Sequence, residues 1–195
     1  TTNATNSAIV LNAGKSTSAG TSSGGDVTLG ESGSLSTGSG GRTTIYTGSV
    51  SGSSGLGIAA GNNRYNSDES STNYTAALGS GAYAIYREKP SITVQVNDVS
   101  KTYDGLTFSG GSLNTTLTSG ALVSGDSFAA VTANTAFGGT AQGVKKAAEY
   151  VISASDTGGK NALGYGVTYT SGKLTIDKAN LSVTATGVNK TYDGT

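Results

Sequence analysis

An internal repeat is the sequence feature that most constrains the fold. The pentapeptide "KTYDG" occurs at positions 101–105 and again at 190–194, an offset of 190 − 101 = 89. The match extends upstream, since "ITVQVNDVSKTYDGL" aligns with "LSVTATGVNKTYDGT" at seven identical positions of fifteen. A period of this length is typical of a small domain and too long for one rung of a solenoid. We therefore expect one complete repeat, residues 91–179, and the first strand of a second in residues 180–195, within a longer protein that carries tandem domains.

The complete repeat is predicted to be an all-β domain. Ile92, Val94 and Val96 alternate with polar residues, which indicates a half-buried strand. Further strands are predicted in "GALVSGDSFAAVTAN", "EYVISAS", "YGVTYTS" and "GKLTIDK", with Ser171 and Gly172 at the tip of a tight hairpin. Short strands and Gly-rich turns favour a β-sandwich, Ig-like or β-grasp-like.

Residues 1–86 have a different pattern. Short β-prone runs, "AIVLNAG", "GDVTLG" and "RTTIYTG", are separated by Gly/Ser/Thr spacers. Leu11, Leu29 and Tyr46 follow one another at nearly equal intervals (29 − 11 = 18 and 46 − 29 = 17), which predicts a parallel β-helix with one such interval per coil. Flexible Gly/Ser-rich linker is the alternative. Residues 87–90 (REKP) are predicted to form a short polar hinge before the repeat.

Four of the ten tyrosines lie just before that hinge, at Tyr65, Tyr74, Tyr83 and Tyr86. A stack of β-coils exposes unpaired backbone at its end and needs a cap, so these side chains are predicted to plug the last coil. The alternative is a platform for carbohydrate, since an exposed tyrosine offers a flat apolar face with a polar edge.

The "YDG" tripeptide is predicted to be structural. Asp104 and Gly105 are turn residues, and Tyr103 is expected to pack at the domain edge with its hydroxyl on a carbonyl, as a tyrosine corner does. Coordination of Ca²⁺ by Asp104 is the alternative, although one carboxylate falls short of a complete site. Asp98 and Asp126 could be further ligands, but nothing in their spacing requires this. The second copy places the same motif at Tyr192, Asp193 and Gly194.

Composition narrows the possible functions. The chain contains no Cys and no His, which argues against disulfides, thiolate zinc sites and the usual general base, so no catalytic, cofactor or metal site is predicted. Twelve basic residues balance twelve acidic ones without a charged run, so nucleic-acid binding is not expected. No apolar stretch approaches the length of a membrane helix, and membrane insertion is not expected either.

Several segments resemble a known family. "SAIVLNAGKSTSAGTSSGGDVTL", "GRTTIYTGSVSGSSGL" and "RYNSDESSTNYTAALGSGAYAIYREKP" resemble the distal part of filamentous-haemagglutinin-like exoproteins of the two-partner secretion type. "KTYDG", "ALVSGDSF" and "GVTYTSGKLTIDKANLSVTA" are similar to the YDG/MBG-type repeats that follow the β-helix in such proteins. The resemblance implies the end of a right-handed parallel β-helix followed by repeat domains. It also implies export through an outer-membrane secretion pore to the cell surface or the medium.

Two functions fit these features. The first is an adhesin or biofilm-matrix protein, with a shaft and tandem spacer domains and a host-surface or matrix glycan or protein as its partner. The second is a structural fibre in which copies of the chain associate through exposed strand edges. The last strand matters to both, because Leu181, Val183 and Ala185 have no core of their own here. We expect it to be disordered, to lie on the preceding domain or, as we favour, to be held by a tandem domain or a neighbouring subunit.

Overall fold

The all-β prediction is confirmed by the computed structural model, which describes residues 8–110 and 114–194. Helical structure in these ranges is confined to α1 (Phe128–Val131) and the 3₁₀ turn Thr157–Gly159. The strands that begin the chain are β1 (Ile9–Asn12), β2 (Arg42–Thr47), β3 (Asn63–Arg64) and β4 (Gly81–Tyr86). The later strands are β5 (Ser91–Val96), β6 (Val99–Thr102), β7 (Thr115–Ser119), β8 (Thr135–Gly138), β9 (Glu149–Asp156), β10 (Gly166–Thr170) and β11 (Gly172–Asp177).

The first four strands form one parallel sheet, in the order β1-β2-β4-β3. We call residues 8–86, which contain this sheet, the N-terminal unit, and residues 91–179 the repeat unit. The chain reaches β3 before β4, yet β4 lies between β2 and β3. As a result, β3 forms the outer edge of the sheet on the side of the repeat unit.

The predicted coil, with one interval between Leu11, Leu29 and Tyr46 per turn, is wrong. Leu11 lies opposite Ile45, an offset of 45 − 11 = 34, and Ile45 lies opposite Ala84, an offset of 84 − 45 = 39. The "GDVTLG" run, which follows β1 and precedes β2 in the sequence, does not pair with β1. Its β-bridge is parallel and joins Thr28 to Ser54. Leu11 and Leu29 therefore lie within one interval between paired strands, whereas Tyr46, opposite Asn12, already belongs to the next strand.

The predicted short polar hinge, residues 87–90, begins with a buried residue. Arg87 is fully buried, and its backbone N–H donates to the Thr47 carbonyl, 2.9 Å away. Its guanidinium donates to the carbonyls of Ala13 and Gly25, at 2.5 and 2.8 Å. Because a buried guanidinium needs such acceptors, this side chain ties the loop after β1 to the end of β4.

The centre of the repeat unit is a long parallel ribbon. β5 pairs with β10 and β6 pairs with β11, both in parallel and with one offset, since 166 − 91 = 75 and 174 − 99 = 75. Two chain segments, 91–102 and 166–177, therefore run side by side along their whole length. β7 extends the first half by pairing antiparallel to β5, and β9 followed by β8 extends the second half beyond β11.

The predicted hairpin at Ser171 and Gly172 is wrong, because β10 and β11 pair with the other segment of the ribbon and not with each other. The ribbon bends here. A side chain at Gly172 would place its Cβ 2.5 Å from the carbonyl oxygen of Val96. Beside it the Asp98 carboxylate accepts a hydrogen bond from the Lys173 backbone N–H, at 2.7 Å. The Ser-Gly pair thus serves a bend between two sheets, where backbone approaches backbone closely.

One predicted strand is partly helical. The run "GALVSGDSFAAVTAN" contains α1, for which Ser127 is the N-cap and accepts a hydrogen bond from the Ala130 N–H at 3.2 Å. A serine cap followed by alanines favours a helical turn over a strand. The strands predicted in "EYVISAS", "YGVTYTS" and "GKLTIDK" are confirmed as β9, β10 and β11.

The buried apolar side chains of the described residues form two cores, and the first crosses the boundary between the units. It joins buried side chains of the N-terminal unit, among them Ile45 and Tyr65, to Ile92 and Val94 of β5. Val96 belongs instead to a second core inside the repeat unit, with Ile152 and others. The predicted inward alternation of Ile92, Val94 and Val96 is therefore confirmed, although the three residues enter two different cores.

Residues 178–194 form no strand. Leu181 and Val183 are 86% and 81% exposed, as expected for an opening strand without its own core.

Candidate functional site

A carboxylate and two tyrosines form the centre of the contact between the units, which we call the joint. Tyr65 follows β3 in the N-terminal unit, whereas Asp126 precedes α1 and Tyr165 precedes β10 in the repeat unit. Both phenol hydroxyls donate to Oδ2 of Asp126, at 2.6 Å from Tyr65 and 2.8 Å from Tyr165. The two tyrosine rings meet edge to face with centroids 4.8 Å apart, so polar and aromatic contacts coincide.

Both phenols at the joint stay protonated over a wide pH range. Burial raises the pKa of Tyr65, and its hydrogen bond to Asp126 raises it further. Burial also raises the pKa of Tyr165, although the hydrogen bond from the Val123 N–H opposes the change. Both side chains therefore act as neutral donors to a shared carboxylate.

Backbone hydrogen bonds continue the joint on either side of this cluster. The Tyr65 N–H donates to the Leu163 carbonyl at 2.9 Å, and the Gly61 N–H donates to the Gly125 carbonyl at 3.1 Å. The loop of the repeat unit thereby covers the outer edge of the parallel sheet beside β3. Gly164 permits this approach, since it has φ +97° and any side chain there would collide with the Tyr65 carbonyl. An edge that could recruit another strand is thus covered within the same chain.

Asn161 shapes the loop that covers this edge. Its side chain is buried, and its Nδ2 donates to the Val131 carbonyl at 2.8 Å. Its Oδ1 accepts from the backbone N–H groups of Leu163 and Tyr165, at 3.1 and 3.3 Å. Next to it, Lys160 donates from Nζ to the carbonyl of Thr72 in the N-terminal unit, at 2.5 Å. One amide therefore fixes the two residues that contact Tyr65.

A polar cleft of about 310 Å³ opens beside the joint, with walls from both units. Its lining includes Asn66, Asn73, Lys89, Asp156, Lys160 and Thr168. Amides, ammonium groups and hydroxyls together offer donors and acceptors to a hydroxylated ligand.

The predicted tyrosine surface is only partly available to a ligand. Tyr65, Tyr83 and Tyr86 are buried, so they cannot offer a face to a carbohydrate. Tyr74 is half-buried, and the Arg64 guanidinium lies over both its ring and that of Tyr83, 5.6 and 5.4 Å from the ring centroids. Burial corrects the carbohydrate-platform alternative for Tyr65, Tyr83 and Tyr86, and the cation–π contacts hold the rings of Tyr74 and Tyr83 beside Arg64.

The YDG residues lie at the other end of the repeat unit. As predicted, Asp104 and Gly105 form a turn, in which the Asp104 carboxylate accepts from the Leu106 N–H at 3.0 Å and Gly105 has φ +77°. The hydrogen bond from Lys101 Nζ, at 2.7 Å, is the main cause that lowers the pKa of Asp104. The tyrosine-corner prediction is wrong, because Tyr103 is 44% exposed. In the second copy, Tyr192 is exposed, Lys190 pairs with Asp193 at 2.9 Å, and Gly194 has φ +70°.

The three carboxylates that were considered as calcium ligands lie apart. Asp98 accepts from the Lys173 N–H at the ribbon bend, Asp104 belongs to the YDG turn, and Asp126 to the joint. Among residues 8–110 and 114–194, no three acidic side chains gather as potential ligands of a metal ion.

Another acidic residue, Asp68, accepts from the backbone N–H groups of Ser70, Ser71 and Ala19. Burial alone would raise the pKa of Asp68, but these hydrogen bonds lower it.

The sequence did not predict the joint. The sequence indicated Asp126 only as a further ligand of a possible calcium site, and it gave no role to Asn161 or Tyr165. The usable signal was weak: "GGKNALGYG" places a lysine, an amide and two apolar residues between glycines, and two apolar residues are unusual for an exposed loop.

No protein-family model, no curated protein and no solved structure matches this chain. Within the part of the chain that the structure describes, no helix is both long and apolar enough to cross a membrane.

Proposed function

We propose that the chain belongs to a secreted or cell-surface adhesin or biofilm-matrix protein of the filamentous-haemagglutinin-like, two-partner secretion type. In this proposal, the N-terminal unit is the end of a right-handed β-helical shaft. The repeat unit is a spacer domain of the Ig-like or β-grasp-like type, and an outer-membrane pore exports the protein.

The joint is the observation that carries the proposal. The repeat unit covers the edge at β3 with its own backbone, and Ile92 and Val94 enter a core shared with the N-terminal unit. A parallel stack needs such a cover at its end, because an open edge recruits other strands. Two units joined through one core transmit a force or hold a fixed direction, as a surface fibre requires.

A glycan or a protein of the host surface or the matrix is the proposed partner. The polar cleft beside the joint, which Lys89 helps to line, supports this proposal, because its donors and acceptors suit a hydroxylated ligand. Beads coated with the chain should bind one or more members of a polysaccharide panel. Lys89→Glu should reduce that binding, and Lys145→Glu, at an exposed lysine outside the cleft, should not. Equal loss with both variants, or no binding by the parent chain, would count against an adhesive role for this fragment.

A self-assembling structural fibre is the alternative function. It is favoured by the exposed apolar residues of the last segment, Leu181, Val183 and Val188, which could add to a strand edge of another copy. Electron microscopy of the purified chain separates the two proposals. Ordered filaments that disappear when residues 181–195 are deleted would favour the fibre, and dispersed particles would favour the adhesin spacer.

A further inference from the structure

An open apolar groove of about 510 Å³ lies at the end of the repeat unit away from the joint. Its lining residues are Tyr103, Lys146, Ala147, Lys178, Ala179, Asn180 and Leu181. β6 and β11 both end here, at Thr102 and Asp177, whereas β5 and β10 begin next to the N-terminal unit. The repeat unit thus has a near end, which is covered by the joint, and a far end, which is open.

The residues that lead into each copy of the repeat correspond to one another. In the alignment of the two copies, Lys178 corresponds to Lys89, and the preceding Asp177 corresponds to Glu88. At the first copy, a Cβ on Gly166 would lie 2.8 Å from Cε of Lys89, so the lysine stem packs on the near end of the repeat. At the second copy, the corresponding Lys178 lines the open groove.

The two ends of the repeat unit have complementary chemistry. The near end contributes Leu163 and Tyr165 to the shared core and presents the Asp126 carboxylate. The far end combines an apolar floor with Lys146 and Lys178, neither of which forms an ion pair within the described residues. Opposite charge on matching apolar surfaces favours one orientation of contact.

Tyr103 provides a further parallel with the joint. In the joint, a tyrosine of the preceding unit, Tyr65, donates to Asp126 of the repeat. In the groove, Tyr103 has the corresponding position: it belongs to the repeat unit, which would precede a second repeat, and its side chain is 44% exposed. Its phenol is available to the carboxylate that corresponds to Asp126 in a following repeat.

We propose that this groove docks the near end of a second repeat of the 91–179 type, whose opening strand is residues 181–194 and whose Leu181 already lies at the groove. Tyr103 donates to the carboxylate of that repeat, and Lys146 and Lys178 lie at the rim of the contact. The inference rests on the proposed role of the repeats as tandem spacers, and it adds that successive repeats are held rigidly and not by a flexible linker.

The test uses a single cysteine as a probe, since the chain has none of its own. Ala147→Cys places the thiol in the groove, at a half-buried position that also packs against the second core, and Ala136→Cys, at the exposed position of β8, is the control away from the groove. Each variant is prepared in the 195-residue chain and in a chain extended beyond Thr195 by the sequence of residues 107–179. This extension completes the second repeat, because Thr195 corresponds to position 195 − 89 = 106.

In the extended chain, alkylation of Ala147→Cys should slow by about tenfold or more, because the thiol reacts only in the open state and the docked state is the more populated one. Alkylation of Ala136→Cys should be unchanged. Adding Tyr103→Phe and Lys178→Glu should restore most of the lost rate, with circular dichroism to check that the fold persists. Equal rates for Ala147→Cys in both chains would overturn the proposal, and so would an extended chain whose amides at Leu181–Ala185 stay unprotected. Neither result would bear on the polysaccharide binding of the unextended chain, which tests the proposed function separately.

Discussion

Residues 92–105 and 181–194 share a sequence pattern but differ in structure. In the first copy, Ile92 and Val94 are buried in a strand, whereas the corresponding Leu181 and Val183 are exposed and form no strand. The first copy pairs along its length with residues 166–177. None of the described strands pairs with the second copy. The same residues therefore become a strand only where a long-range partner is present, because strand formation depends on pairing and burial more than on local preference.

The KTYDG turn behaves in the opposite way. The Lys101–Asp104 ion pair at 2.7 Å recurs as Lys190–Asp193 at 2.9 Å, and the following glycine has a positive φ in both copies. A turn closed by residues three apart needs no distant partner. Within one repeated sequence, the turn is locally encoded and the strand is not.

The largest expected effect comes from a charge at matched positions of the two copies. Val94→Asp would bury an unpaired carboxylate in the shared core and should lower the free energy of unfolding by about 4 kcal/mol or more. Val183→Asp should change it by less than about 0.5 kcal/mol, since the side chain is already in water. Urea unfolding followed by circular dichroism measures both. Similar losses for the two variants would mean that the second copy is packed like the first.

A second, smaller effect is expected when the joint loses its acceptor. Asp126→Ala leaves the hydroxyls of Tyr65 and Tyr165 without their shared carboxylate and should cost about 2–4 kcal/mol. Asp193→Ala, in the exposed second copy, is the matched control and should cost about 0.5 kcal/mol or less. If urea unfolding showed no difference between these two variants, the joint would not contribute to stability in the way the geometry indicates.

Alkaline pH should destabilise the joint and the ribbon through their buried tyrosines. Burial raises the pKa of Tyr169 from 10.0 to about 12, and burial also raises those of Tyr65 and Tyr165. An acid whose pKa is higher in the folded state stabilises the fold fully below its unfolded pKa of 10.0, and this contribution is lost as the pH rises through the folded value. The urea midpoint should therefore hold steady up to about pH 10 and fall above it. Tyr169→Phe should make the fall shallower, and Tyr192→Phe should not. A urea midpoint that stayed level above pH 10 would contradict the raised pKa of the buried tyrosines.

The sequence predicted what depends on neighbouring residues. The period-two alternation of Ile92, Val94 and Val96 identified both the strand and its buried side, because the pleat alone determines which side chains share a face. The Asp104–Gly105 turn was predicted for the same reason, since its hydrogen bonds lie within a few residues.

Pairing between distant segments was not predictable. Ser171–Gly172 carries a turn signal, but a turn signal does not distinguish a hairpin from a bend whose two halves pair with another segment. The spacing of Leu11, Leu29 and Tyr46 looked like a coil, yet Leu11 pairs with Ile45. At the joint, Tyr65 and Asp126 lie 61 residues apart in the sequence, and no local pattern links them.

Hydrogen exchange of the intact chain tests most directly the claim that partner strands, and not local sequence, order the repeated segment. Amides of residues 92–102 should exchange slowly, with protection close to that of global unfolding, whereas amides of residues 181–191 should exchange at nearly the rate of an unstructured peptide. Both segments are compared in one sample, so differences in conditions cannot produce the contrast. Comparable protection of the two segments would contradict the account, because the second copy would then form its structure without the partner that the first copy has in residues 166–177.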